Sequence, residues 1–136
     1  MARQPRVFDS WALMAFLEDE PAAGQVQELI ADAQDIESGL LVTVINLGEV
    51  WYCLGRTRSL AAADRAIKAV LGLGFQVVEV DWELASRAAR FKARHKLAYA
   101  DCFAAALAHY RELEIVTGDP EFKQLQGQIK IHWLAQ

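Results

Sequence analysis

The sequence predicts an α/β fold in which a short, mostly parallel sheet of about four to five strands carries helices on both faces. Short apolar runs alternate with segments of helical periodicity along the whole chain, which is typical of strand–helix–strand units. The run at residues 40–44 is apolar except for Thr43, as expected for a strand that is buried on both faces. Helix-capping and turn residues separate the segments.

The elements of the first half follow from these signals in order. Residues 6–9 form the first predicted strand, and Ser10 caps a helix over residues 11–19. Pro21 separates that helix from another over residues 22–36, and a Ser38-Gly39 turn precedes the strand at 40–44. Asn46 begins a helix that extends to residue 54 and ends at Gly55.

The second half continues the alternation. We expect a helix at residues 59–71, a strand at 75–80 and a helix at 82–95 that is capped by Asp81. A helix at 100–113 lies between this one and the last two strands, at 114–117 and 129–133. No linker, repeat or low-complexity segment divides the chain, so residues 1–136 are expected to form one domain.

Composition narrows the class of protein. A chain of 136 residues with 54% hydrophobic residues can fill one core, and its net charge of −4 includes no basic tail that indicates nucleic-acid binding. Cys53 and Cys102 lie in apolar helical patterns, as small buried residues of a reducing compartment do. No signal-type apolar region follows the first six residues, and no apolar run is long enough to span a membrane. We therefore expect a soluble, cytoplasmic protein.

Four acidic residues occupy positions where strands and helices meet: Asp9, Glu49, Asp101 and Asp119. Asp9 and Asp119 follow strands, whereas Glu49 and Asp101 lie in the first turns of helices that leave the same edge of the sheet. Because ligands of open parallel sheets bind beyond the carboxyl ends of the strands, the four side chains are expected to converge there.

Each acid also has an ordinary structural explanation. Asp9 is a turn residue at a strand end, and Asn46 with Glu49 has the pattern of a capping box. Asp101 is a favourable charge in a first helical turn, and Asp119 before Pro120 is a typical N-cap. The coincidence of four acids at one edge favours a functional site.

Carboxylates that gather without cationic partners repel one another. At ~4 Å two such charges repel by about 1 kcal/mol in water and by about 4 kcal/mol at an effective dielectric constant of ~20. A hard divalent cation such as Mg²⁺ or Mn²⁺ relieves this repulsion. The pattern therefore predicts a metal-dependent enzyme.

Four segments of the chain resemble, in order, the motifs of the PIN-domain ribonucleases, most closely those of the VapC-type toxins. They are residues 7–13 (VFDSWAL), 42–50 (VTVINLGEV), 97–106 (LAYADCFAAA) and 115–122 (IVTGDPEF). The resemblance implies that Asp9, Glu49, Asp101 and Asp119 are catalytic and bind the metal, with the hydroxyls of Ser10 and Thr117 supporting them. Asn46, at the predicted start of the helix that carries Glu49, is a further supporting candidate. It also implies cleavage of RNA by a metal-activated water, a cognate antitoxin and a homodimer. The chain departs from the family at Trp11, where a small residue is common, and at Gly118, where a basic or polar one often occurs.

Substrate contacts are predicted from two further features. Arg87, Arg90 and Arg94 fall on one helical face, which is either an ordinary solvated surface or a track for RNA phosphates. Trp11 is a candidate for stacking on a base.

Two alternative functions remain open at the level of sequence. One is a phosphohydrolase or phosphotransferase in which Asp9 is the nucleophile, although Trp11 occupies the position where such enzymes usually have a second Asp. The other is a non-catalytic PIN-like binding module, which would be expected to lose some of the four acids.

Overall fold

The computed structural model describes residues 4–135 and contains a five-stranded sheet of entirely parallel strands. The strand order is β3-β2-β1-β4-β5, with the chain reversing direction across the sheet between β3 and β4. The strands are β1 Arg6–Phe8, β2 Leu40–Thr43, β3 Gln76–Val78, β4 Glu114–Thr117 and β5 Lys130–Trp133. The predicted fold class is confirmed.

Six α-helices and one 3-10 helix connect the strands in the described part of the chain. They are α1 Ser10–Leu17, α2 Ala23–Ala33, α3 Val44–Thr57, α4 Leu60–Gly72, α5 Trp82–Arg94, α6 Tyr99–Arg111 and the 3-10 helix Pro120–Leu125. Between residues 4 and 135, none of the helices combines the length and the apolar character needed to span a bilayer.

The alternation of side chains along the strands divides the core between the two faces of the sheet. Phe8, Val42 and Val116 pack with the apolar sides of α1 to α4 on one face. Val7, Leu41 and Ile115 pack with α5, α6 and the 3-10 helix on the other. Helices therefore cover both faces, as the consecutive apolar residues Leu40, Leu41 and Val42 of β2 predict.

The strand register brings three chain segments to one level at the carboxyl edge. Val7 pairs with both Leu41 and Ile115, so Asp9 after β1 is level with Thr43 at the end of β2 and Thr117 at the end of β4. The edge that the sequence predicted as the functional one is thus formed by polar residues of three adjacent strands.

Two predicted helix starts are wrong, and both errors bear on the site. Asp9, and not Ser10, caps α1, because its Oδ1 accepts a hydrogen bond from the backbone N–H of Ala12 at 2.9 Å. Thr43, and not Asn46, caps α3, because its hydroxyl accepts the N–H of Asn46 at 3.0 Å. The capping box between Asn46 and Glu49 does not exist, so Glu49 has no capping role.

Other boundaries differ from the predictions by at most three residues. α2 ends at Ala33 instead of residue 36, and α3 continues through Gly55 to Thr57 instead of ending at residue 54. Gly55 lies against Trp51 and Leu60, where a Cβ atom would be at ordinary contact distance, and it does not end the helix.

Candidate active site

Asp9 is the most deeply buried acid of the carboxyl edge. It has no exposed surface, and its Oδ2 has no hydrogen-bond partner among residues 4–135. Burial raises the pKa of Asp9 to about 8, while the hydroxyl of Thr117 and the N–H of Ala12 act in the opposite direction. The carboxylates of Asp101 and Asp119 add to the rise, so both lie close enough to repel it. A buried, unpaired carboxylate oxygen of this kind requires either a proton or a cation.

Asp101, Asp119 and Glu121 form a compact group of carboxylates. One carboxylate oxygen from each lies within 4.8 Å of those of the other two. Asp101 is 8% exposed, and burial together with the charges of Asp119, Glu49 and Glu121 raises its pKa to about 7. No Lys or Arg in residues 4–135 forms an ion pair with any of these acids. The group has the oxygen donors that hard divalent cations use.

Glu121 was not among the residues predicted from the sequence. It follows Asp119 by two positions, and its backbone N–H donates to Asp119 Oδ1 at 2.9 Å in the cap of the 3-10 helix. This tight turn brings the side chain of Glu121 back toward Asp101. An exposed acid two residues after a strand-end Asp was the available signal, but it fitted the ordinary pattern of a helix start.

Glu49 lies near the group without belonging to it. Its charge raises the pKa of Asp101, and on its own helix it raises the pKa of the Tyr52 phenol. Since α3 starts at Val44, Glu49 stands in the second turn, on the partly exposed side of the helix. The structure thus brings all four predicted acids to one edge, with Glu121 as a fifth member.

Asn46 holds the helices that carry these acids. Its Nδ2 donates to the carbonyl of Ala100 at 3.1 Å and to Ser10 Oγ at 3.2 Å, and Ser10 Oγ donates in turn to the carbonyl of Asn46 at 3.1 Å. The hydroxyl of Thr43 donates to Asn46 Oδ1. Ser10 adjoins Asp9 and Ala100 adjoins Asp101, so one fully buried amide fixes the relative positions of α1, α3 and α6.

Thr117 connects two of the acids at the end of β4. Its Oγ1 accepts the backbone N–H of Asp119 at 3.0 Å, and its hydroxyl lowers the pKa of Asp9. The side chain is fully buried. Ser10, Asn46 and Thr117 are predicted from the sequence as polar neighbours of the acids, whereas Thr43, a fourth, is not.

Trp11 and Gly118 occupy complementary space beside the site. A Cβ atom at position 118 would lie 2.2 Å from Cη2 of Trp11, a distance that side chains do not tolerate. The indole is partly buried and packs against the apolar core of its face. The departures from the family pattern at Trp11 and Gly118 therefore compensate each other, because the large ring at position 11 leaves no room for a side chain at position 118. Stacking of Trp11 on an RNA base stays a prediction.

Arg87, Arg90 and Arg94 lie together, but not at the carboxylates. They line one cavity with Phe91, His109 and Gln128, and none of the five acids contributes to it. The predicted common face is therefore present, while its role in substrate binding stays a prediction.

Comparison with known proteins places the chain in a family. The model of the PIN domain matches residues 6–128. The chain belongs to the PIN domain family. A search of the curated proteins found no significant match.

Solved structures of VapC and VapBC proteins share its fold. The toxin VapC20 of Mycobacterium tuberculosis, described as cleaving the sarcin–ricin loop, aligns with a TM-score of 0.73 at 19% identity over 88% of this chain and 93% of that one. VapBC2 of Rickettsia felis, bound to a DNA fragment from its promoter, aligns with a TM-score of 0.75 at 11% identity, over 97% of this chain and 100% of that one. DNA-bound VapBC of Salmonella typhimurium aligns with a TM-score of 0.74 at 17% identity, over 95% of this chain and 97% of that one. The resemblance found in the sequence motifs is thus confirmed for family and fold.

The raised pKa values of Asp9 and Asp101 predict that the metal-free protein loses stability as the pH rises. Both carboxyls have pKa values in the folded state, about 8 and about 7, above their ordinary value of 3.8. The folded state therefore binds these protons more tightly, and the stabilisation is complete below about pH 4 and is lost as the pH rises through 7 to 8. In EDTA, we expect a lower Tm at pH 8 than at pH 6 by circular dichroism, with a smaller difference in Asp9→Asn. A Tm that rises between pH 6 and pH 8 would contradict this assignment.

Proposed function

We propose that this PIN-domain protein is a divalent-metal-dependent endoribonuclease and the toxin of a toxin–antitoxin pair. The observation that carries the proposal is the convergence of Asp101, Asp119 and Glu121, beside the buried Asp9, without a cationic partner among residues 4–135. We propose that the whole chain, residues 1–136, is one nuclease domain and that it acts in the cytoplasm.

The acids divide into two roles in this proposal. Asp9, Asp101 and Asp119 are the metal ligands, directly or through water, and the structure adds Glu121 as a candidate. Mg²⁺ or Mn²⁺ bound by them would supply an activated water and neutralise charge at the phosphate. The side chain of Glu49 does not cap α3, since Thr43 does. Glu49 therefore either binds the metal as a further ligand or accepts a proton from the attacking water.

The supporting residues keep these carboxylates in place before the substrate arrives. Asn46 holds α1 and α6 together, and Thr117 orients both Asp9 and the backbone of Asp119. Such preorganisation lowers the cost of assembling a charged site at each turnover.

The structure disfavours Asp9 as a phosphoryl-accepting nucleophile. Its carboxylate has no exposed surface, one of its oxygens caps α1, and its raised pKa keeps it protonated near neutral pH unless a cation binds. A buried acid of this kind suits metal binding better than attack on an incoming phosphorus centre. The non-catalytic module is disfavoured because the acids are all present and converge.

The proposed partners are an RNA substrate and a cognate antitoxin protein. The VapC20 structure is that of an RNA-cleaving toxin, and two further similar structures are VapBC assemblies, which supports both. A homodimer, which the family resemblance implies, also stays a proposal.

The metal requirement is tested by incubating the protein with structured RNAs, such as ribosomal RNA and tRNA. We expect discrete cleavage products with Mg²⁺ or Mn²⁺, none in excess EDTA, and recovery of cleavage when the metal is restored. Cleavage that persists undiminished in EDTA would contradict the proposal.

A further inference from the structure

A cavity of about 370 Å³ lies between α5 and the C-terminal part of α6, next to the residues that precede β5. Its polar lining includes Glu83, Ser86, Arg87, Arg90 and Arg94 of α5, together with His109 of α6 and Gln128. The volume is within the range of small-ligand sites in proteins. It is separate from the carboxylates described above, since none of them lines it.

The cavity has an excess of positive charge that the described residues do not neutralise. Glu83 is the one carboxylate among its lining residues, and it pairs with Arg87 at 2.9 Å. The guanidinium of Arg87 also lies 4.3 Å from the centroid of the Tyr110 ring, which fixes its direction. Arg90 and Arg94 form no ion pair within residues 4–135. Two arginines without carboxylate partners favour an anionic ligand, and phosphate is one of the two anionic groups, with carboxylate, that guanidinium geometry matches.

An aromatic surface accompanies the arginines. Phe91 lines the cavity and packs edge-on against the ring of His109, with centroids 6.0 Å apart and an interplanar angle of 86°. Proteins that bind unpaired nucleic-acid strands combine such rings, which stack on bases, with cations that contact the backbone. The lining therefore suits a nucleotide better than a bare phosphate.

The length of α6 sets the scale of the separation between the cavity and the carboxylates along that helix. Asp101 is in the first turn of α6 and His109 in the last, and eight residues of helix span about 12 Å. A stacked strand advances about 3.4 Å per nucleotide, so this separation corresponds to roughly four nucleotides, or fewer if the strand is extended.

We propose that this cavity is a second RNA-binding site, which holds an unpaired nucleotide and its phosphate a few positions from the bond that is cleaved. The inference rests on the proposed ribonuclease function and refines the predicted phosphate track. Arg90 and Arg94 contribute affinity through the phosphate backbone and take no part in the chemical step.

The test compares the double variant Arg90→Glu, Arg94→Glu with a control of equal charge change, Arg65→Glu, Lys68→Glu, on the exposed surface of α4. Binding of a fluorescein-labelled single-stranded RNA is followed by anisotropy in EDTA, so that affinity is measured without cleavage. We expect at least tenfold weaker binding in the α5 variant and a smaller salt dependence of its affinity, with less than threefold weakening in the control. Arg90 and Arg94 are exposed, so the thermal unfolding of both variants should match that of the wild type.

Cleavage kinetics with Mn²⁺ provide the second readout. We expect KM to rise in the α5 variant while kcat at saturating RNA stays within twofold of the wild type. Equal weakening of binding in both double variants, or a fall in kcat with unchanged KM, would overturn the proposal. If neither the wild type nor either double variant cleaves RNA, while the α5 variant still binds RNA more weakly than the α4 control in EDTA, the ribonuclease proposal fails and the second RNA-binding site stands.

Discussion

Replacement of Asp101 by asparagine is expected to abolish RNA cleavage while the protein stays folded. Asp101 lies at the centre of the site, since the charges of Asp119, Glu49 and Glu121 all act on its carboxyl group. Asparagine has nearly the same shape but is a weaker ligand for a divalent cation, so both metal affinity and charge neutralisation at the phosphate are lost. A loss of about 4 kcal/mol of transition-state stabilisation corresponds to roughly a thousandfold lower rate.

The assay follows initial rates on a cleaved RNA in Mn²⁺, with thermal unfolding measured in EDTA. The amide removes the repulsion at a buried carboxylate, so the Tm in EDTA at pH 8 should equal or exceed that of the wild type. Glu28→Gln, an exposed substitution on α2, is the matched control and should keep full activity. Activity of Asp101→Asn within tenfold of the wild type would remove this residue from the catalytic machinery.

Asn46→Ala is expected to cost about 2–4 kcal/mol of stability and to lower activity with it. The amide is fully buried, and its loss removes three side-chain hydrogen bonds, those with the Ala100 carbonyl and with the Ser10 and Thr43 hydroxyls. Both hydroxyls keep their hydrogen bonds to the backbone of residue 46. Each lost hydrogen bond costs about 1 kcal/mol, and the α1–α3–α6 junction relaxes in response. The acids on α1 and α6 then lose their fixed separation.

Urea unfolding measures this cost against a matched amide. Gln34 Nε2 also donates to a carbonyl, that of Leu73 at 3.1 Å, but in an exposed position. Because water can replace its hydrogen bond, Gln34→Ala should change the free energy of unfolding by less than about 1 kcal/mol. If the two variants unfolded at the same urea concentration, Asn46 would not be the structural centre of the site.

The sequence predicts the fold and the edge of the site because both depend on periodicity and connectivity. The alternation of strands and helices sets the parallel sheet, and the crossover rule then places the ends of β1 and β4 together. Asp9 and Asp119 could therefore be located before any contact was known. The start of α3 could not, because the apolar run of β2 continues into the helix at Val44 and Ile45 without a change of period.

The remaining differences arise from tertiary packing that one sequence does not specify. Glu121 joins the carboxylates through the tight cap of the 3-10 helix, whose turn geometry has no periodic signal. The helical spacing of Arg87, Arg90 and Arg94 correctly predicts a common face, but the direction of that face depends on how α5 packs against α6. Trp11 and Gly118 each look anomalous in the sequence and are explained only by their contact.

The central claim, that the acids of the carboxyl edge bind a divalent cation, is tested most directly by Mn²⁺ binding at pH 8, measured by calorimetry. At this pH the Asp101 carboxyl, with its pKa of about 7, is mostly ionised, and the Asp9 carboxyl, with its pKa of about 8, is partly ionised. Proton release therefore opposes metal binding less than it does at neutral pH. The structure predicts saturable binding to the wild type and to Glu28→Gln, and loss of that binding in Asp101→Asn. Absence of saturable binding to the wild type, or unchanged binding to Asp101→Asn, would contradict a metal centre at this edge.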